Sequence, residues 1–218
     1  SALTFKPESA ESHYNLGIAL KKTGQLNEAI KSFNLAIDHD SQFVEAYYGL
    51  GITYNDLGKI DNAIINFQRA LTIQSKYPDA RYNLGHTYKR KGDIKSSINS
   101  FYAAIQDNPN FYQAYFSLGV IFQEVGNFDS AIINYNLALK IHPSHEKSHN
   151  NIGIIFKEQG NIDGALSSYK KALSLNPDYL EAHNNIGNLN KEIGNYKLAI
   201  DSYKRVLSIN YNQGEAHS

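Results

Sequence analysis

The 218-residue chain contains no cysteine. It therefore has no disulfide framework, no thiol nucleophile and no cysteine zinc site. It also lacks any Asn-X-Ser/Thr glycosylation site, and both absences fit a cytoplasmic protein. No apolar run approaches the length needed to span a bilayer, and the N-terminus carries no secretory signal. Neither sign of charge is in excess, since 21 Lys and Arg meet 21 Asp and Glu. Nucleic-acid and membrane-surface binding draw on a basic excess, so neither is expected. There is no basic stripe, which disfavours an RNA-binding helical repeat as well. The missing initiator methionine points to a processed chain or an excised fragment.

What the chain has instead is a period of 34 residues. Leu-Gly or Ile-Gly recurs at Leu16-Gly17, Leu50-Gly51, Leu84-Gly85, Leu118-Gly119, Ile152-Gly153 and Ile186-Gly187. Seven residues after each of those glycines comes another, at Gly24, Gly58, Gly92, Gly126, Gly160 and Gly194. A fixed period of this length means one small unit stacked on copies of itself, stabilised by neighbour interfaces rather than a central core. The repeats run 10–43, 44–77, 78–111, 112–145, 146–179 and 180–213. Residues 1–9 match the end of a preceding unit and 214–218 the start of a further one.

Each unit reads as two helices in an all-α fold, the first ending at the second glycine and the second near a proline. The glycine after Leu or Ile lies mid-helix, where it costs about 1 kcal/mol relative to alanine. Its recurrence predicts close helix packing, opposite the small residues Ala29, Ala63, Ser97, Ala131, Ala165 and Ala199. The later glycine suits a left-handed C-terminal cap. Phe33, Phe67, Phe101, Tyr135, Tyr169 and Tyr203 fill one position of the second helix. Leu20, Tyr54, Tyr88, Phe122 and Phe156 fill one position of the first, and Asn190 breaks that series. A polar amide in an apolar slot is expected to weaken the sixth repeat unless it finds partners.

These residues resemble the tetratricopeptide repeat: a 34-residue helix–turn–helix unit patterned on Leu-Gly, an aromatic, Ala, Phe/Tyr, Ala and Pro. The first pattern position, often Trp in that family, is here His13, Tyr47, Arg81, Tyr115, His149 and His183. The run Glu181-Ala182-His183-Asn184-Asn185-Ile186-Gly187-Asn188 is similar to the arrays of O-GlcNAc transferases and related bacterial proteins. The resemblance implies a right-handed superhelical solenoid of antiparallel helix pairs, with first helices lining a concave groove for extended peptides. In the transferase-like arrays, asparagines just before Leu-Gly form a ladder that holds a peptide backbone. Here Asn15, Asn83, Asn151 and Asn185 carry the amide, while Gly49 and Ser117 are gaps. A primary amide both donates and accepts, so it can pair a peptide unit whatever the side chain.

Neighbouring positions change character along the chain. Tyr14, Tyr48, Tyr82 and Phe116 give way to Asn150 and Asn184, and Ile18, Ile52, His86, Val120 and Ile154 give way to Asn188. Tyr48, Tyr82, His86, Asn150, Asn184 and Asn188 therefore join the four ladder asparagines as candidate peptide contacts. The tyrosines suit packing between first helices as well as they suit a ligand. The Lys–Asn–Arg clamp of chaperone-binding members is absent at these positions. Lys21, Lys89, Arg90, Lys157 and Lys191 lie about one turn further along and suit acidic ligand groups.

His145-Glu146-Lys147-Ser148-His149 matches the zinc-protease motif HExxH. That chemistry needs both histidines on one helical face, whereas the repeat register puts His145 at the end of a unit. Twelve of the fifteen glycines are repeat glycines, and none forms a phosphate-binding loop. No catalytic constellation stands out. The sequence reads as a non-catalytic interaction scaffold for protein or peptide segments, with no cofactor and no metal. Two other readings stay open: the substrate-selecting arm of a larger enzyme such as a protein glycosyltransferase, and a module that self-associates through its stack ends.

Overall fold

The computed structural model describes the backbone of residues 9–215 and the side chains of residues 9–209. Ala2 to Pro7, Ala216 and His217, read in the sequence as parts of adjoining repeats, lie outside the described residues. Twelve helices follow one another without a strand among the described residues. They are α1 (Ala10–Lys22), α2 (Leu26–His39), α3 (Val44–Asp56), α4 (Ile60–Ile73), α5 (Pro78–Lys91), α6 (Ile94–Asp107), α7 (Tyr112–Glu124), α8 (Phe128–Ile141), α9 (Glu146–Glu158), α10 (Ile162–Leu175), α11 (Leu180–Glu192) and α12 (Tyr196–Glu215). They form two compact units, one ending at Asn110 and one beginning at Phe111.

The punctuation between helices is local chemistry. Ser9, Asp93, Asn127 and Asn161 cap α1, α6, α8 and α10 by accepting the backbone N–H three residues on. Pro78 opens α5, where its missing N–H costs nothing. Gly92 ends α5 at a φ of 86°, and Asp93 N–H then reaches back to Tyr88 O at 2.9 Å, closing a Schellman cap. α12 lacks the expected stop. Tyr211 stands where Pro177 follows α10, it keeps the N–H that proline lacks, and the helix continues to Glu215.

In unit 1 each first helix packs on its own second helix (α1 on α2, α3 on α4, α5 on α6), and α2 and α4 also rest on the next first helix. The first helices touch their successors, α1 against α3 and α3 against α5. Phe33 and Phe67 lie at the centres of two clusters with no exposed surface. In unit 2, α7–α8, α9–α10 and α11–α12 pair in the same way, α9 meets α11, and Tyr135 and Tyr169 take the central positions. Burying one such ring contributes about 1.5–3 kcal/mol.

The mid-helix glycines face those rings as well as the small residues: a Cβ on Gly153 would stand 2.6 Å from Tyr169 and 3.2 Å from Ala165 O. A Cβ on Gly51 would stand 2.5 Å from Phe67, and one on Gly119 would stand 2.5 Å from Tyr135. Ser97 Oγ donates to Gly85 O at 2.8 Å, so at the small position the second helix approaches the backbone of the first. Asn190 is 4 % exposed and its amide donates to Ile186 O at 2.9 Å, which supplies one partner in the slot where an aromatic was expected. Arg81, at the position often held by Trp, donates from Nε to the buried Asp107 at 2.6 Å and from Nη2 to Ser75 O.

Candidate functional site

Within each unit the ladder asparagines lie on the first helices, one residue before the Leu-Gly or Ile-Gly pair. In unit 1, Asn15 on α1 is exposed and makes no hydrogen bond among the described residues. Asn83 on α5 is half-buried. Its Nδ2 donates to the Tyr48 hydroxyl at 3.0 Å and to Asp79 O at 2.8 Å, leaving Oδ1 as its open acceptor.

The aromatic candidates are held as firmly as the amides. Tyr48 packs on Phe67, with ring centroids 5.9 Å apart, and on Tyr77 at 5.1 Å. Burial, then Asp79 and Tyr14, pushes its pKa up to about 12. Tyr14 packs on Phe33 and Phe43. Tyr82 stacks edge-on to His86 at 4.6 Å, and both rings meet Phe101. Burial, then the Lys89 ammonium, lowers the pKa of His86, so its ring is neutral near pH 7. The tyrosines thus join first helices to the rings beneath them and keep one edge at the surface.

In unit 2 the amides bond to one another. Asn185 Nδ2 donates to Asn150 Oδ1 at 2.9 Å, and Asn150 Nδ2 reaches Asn151 Oδ1 at 3.5 Å. Asn151 Nδ2 donates to the Tyr135 hydroxyl at 3.0 Å, and that hydroxyl donates to Gln123 Oε1 at 2.8 Å. Asn150 is 3 % exposed and acts as a joint between α9 and α11 rather than an open contact. Asn184 is half-buried on α11. Asn188 is exposed and accepts from the Tyr203 hydroxyl at 2.7 Å.

Three of the basic residues suited to acidic ligands are already occupied within the chain. Lys21 pairs with Asp56 at 3.0 Å, and Lys157 with Glu192 at 2.5 Å. Arg90 Nη1 donates to both oxygens of Asn55 at 2.8 Å. These bonds step from one first helix to the next. Three rim carboxylates that the sequence reading left out, Glu11, Glu45 and Asp79, stand on the second residue of α1, α3 and α5. Their recurrence at one repeat position was the signal for them.

The HExxH histidines take different partners. His145 precedes α9, and its Nδ1 lies 2.8 Å from Ser148 Oγ, while the His149 ring bonds the Pro143 carbonyl. Among the described residues no group of three or more His, Asp or Glu side chains is arranged to hold a metal ion, and no helix is long and apolar enough to cross a membrane.

Comparison with known proteins agrees with this geometry. A TPR repeat model matches residues 19–58, 53–92 and 153–194. Tetratricopeptide repeat models match residues 82–146 and 180–213. No curated protein sequence matches the chain. Among solved structures, MamA is 27% identical over 73% of this chain and 93% of its own, with a TM-score of 0.68. YrrB, described as a TPR protein with an unusual peptide-binding site, is 26% identical over 80% of this chain and 90% of its own, with a TM-score of 0.65. PilF of Pseudomonas aeruginosa shares the fold at 14% identity, with a TM-score of 0.79 over 97% of this chain and 98% of its own. Repeat period, helix pairing and matching family models together place the chain in the tetratricopeptide repeat family.

Proposed function

We propose that the chain is a non-catalytic scaffold whose first-helix face holds an extended segment of a partner protein. The observation that carries this reading is the recurrence of an amide at one repeat position, in Asn15, Asn83, Asn151 and Asn185. Where Nδ2 is engaged, as in Asn83, the outward Oδ1 accepts from peptide N–H groups. Tyr48, Tyr82 and His86 accompany the ladder in unit 1 and Asn184 and Asn188 in unit 2, where Asn150 joins α9 to α11. The peptide-binding site named for YrrB supports the reading. Loss of peptide entropy opposes such binding, so each contact contributes modestly and several are needed.

Asn15 is the clean probe, because nothing in the described structure depends on its amide. Asn15→Ala is expected to weaken a captured peptide by about 3–10-fold, the worth of one hydrogen bond, with unchanged thermal unfolding. The fourfold Asn15, Asn83, Asn151, Asn185→Ala variant is expected to lose capture from a cell lysate while remaining helical by circular dichroism. Capture undiminished in the folded fourfold variant excludes the ladder.

A second reading has its own observation. Ile200 is 51 % exposed and Leu207 is 68 % exposed, at the repeat positions where Ile64 and Leu71 pack into the core of unit 1. Such a face fits the first helix of a second copy. Light scattering is expected to show mass rising with concentration, and Ile200→Asp with Leu207→Asp to abolish the rise. A constant mass in the parent chain rules this reading out.

A further inference from the structure

The rim of unit 1 carries charge that no basic side chain among the described residues pairs with. Glu11, Glu45 and Asp79 are exposed and form no ion pair among the described residues. At the other end of the same helices Lys21 is spent on Asp56, Arg90 on Asn55 and Lys91 on Asp61, while Lys22 is exposed. Tyrosines stand beside the free carboxylates. Tyr14 has its pKa raised by burial and then by Glu45, and Tyr48 by burial and then by Asp79. Between α1 and α3 the face opens into a pocket of about 450 Å³. The Tyr14 and Phe43 rings, 5.1 Å apart, border it together with Asn15, Glu11, Asp40 and Glu45.

A carboxylate near a helix N-terminus is favoured by the macrodipole alone, by about 0.3–1 kcal/mol. That effect acts alike on every first helix, and α11 carries Glu181 at the equivalent position, while α7 and α9 carry Gln113 and Lys147. The dipole does not account for the aromatic walls that stand beside the three consecutive acidic residues of α1, α3 and α5. Two rings and three carboxylates around one opening suit a single kind of side chain. A lysine or arginine lays its stem along the rings, directs its cation at their faces and finds the carboxylates at its tip. An anionic side chain finds only repulsion there.

We propose that the first-helix face of unit 1 selects a basic extended segment, with a lysine or arginine side chain seated in the Tyr14–Phe43 pocket and further basic residues meeting Glu45 and Asp79. The proposal rests on the peptide-capture reading and gives it a ligand class. Packed helices lie about 8–10 Å apart, and an extended chain advances about 3.3 Å per residue. A basic residue at roughly every third position therefore keeps step with the carboxylates.

The test uses the full chain and three labelled peptides of one length, with lysine, serine or glutamate at every third position, read by fluorescence anisotropy. The lysine peptide is expected to bind tightest and to weaken with salt, and the glutamate peptide to bind least. Glu11→Gln with Glu45→Gln and Asp79→Asn is expected to weaken the lysine peptide roughly tenfold, as three rim pairs predict, and to leave the serine peptide unchanged. A control with the same charge change on second helices, Glu28→Gln with Asp129→Asn and Asp163→Asn, is expected to retain the lysine peptide. Equal binding of lysine and serine peptides, or equal losses in both variants, overturns the proposal. If the serine peptide binds and is weakened by Asn15→Ala without any lysine preference, the groove stands and its basic selectivity falls. Binding by none of the three peptides removes both.

Discussion

Replacing Phe67 by alanine is expected to destabilise unit 1 by about 3–5 kcal/mol, the usual cost of emptying a fully buried aromatic site. The ring has no exposed surface and stands at the centre of a cluster with Ala63, Ile64 and Leu84, packed round by Tyr48, Ile52 and Tyr54. It also seals the contact between α3 and α4 through Gly51. Alanine at Gly51 would gain about 1 kcal/mol of helix propensity in isolation. Here its Cβ meets the Phe67 ring at 2.5 Å, and overpacking of that kind costs about 1–3 kcal/mol. Gly51→Ala alone is therefore expected to destabilise, and to do so less when Phe67 is leucine. Urea titration followed by far-ultraviolet circular dichroism gives all four corners of the cycle. The glycine–ring contact is not the constraint if Gly51→Ala stabilises the parent chain, or if the two changes simply add. Because a stacked repeat is held by its neighbours, the loss is expected to lower the first transition rather than melt every repeat at once.

The two kinds of glycine and the aromatic column were open to sequence reading because each recurs at a fixed step. The partner of the mid-helix glycine was not. Ala29 and its equivalents recur at the same period as Phe33, so periodicity alone does not say which of the two faces Gly17, whereas the ring's reach does. The candidate site divides in the same way. One repeat position pairs Asn83 with Asn185, but their Nδ2 atoms go to Tyr48 and Asn150, each 35 residues back. That step of one period plus one residue comes from the lateral offset of adjacent first helices, which no single helix pattern records. The same offset carries Lys21 to Asp56 and Lys157 to Glu192, so side chains that look free on one helix are spent on the next. Glu11, Glu45 and Asp79 were equally visible in the repeat. They gain meaning only once Lys21, Arg90 and Lys91 at the other end of the helices are seen to be occupied.

One substitution made at two equivalent positions is expected to change stability in opposite directions. Tyr135 and Tyr169 both lie fully buried in the second-helix column, where repeats 1–3 carry phenylalanine. The Tyr135 hydroxyl donates to Gln123 Oε1 and accepts from Asn151 Nδ2, so phenylalanine there leaves two polar groups short of a partner. The expected cost is about 1–3 kcal/mol. The Tyr169 hydroxyl is buried with no hydrogen-bond partner among the described residues, and burial, then Glu158 and Glu192, pushes its pKa up to about 12. Its removal relieves an unpaid desolvation, so Tyr169→Phe is expected to stabilise unit 2 by about 1 kcal/mol. Denaturation midpoints at unchanged m-value report both effects on one scale. Equal losses at the two sites would mean that the Tyr169 hydroxyl has found a partner, such as a bound water. The difference also bears on the ladder. Asn151 is held by Tyr135, so Tyr135→Phe frees its amide, and any peptide contact made by Asn151 changes with it, whereas Tyr169→Phe leaves peptide capture untouched.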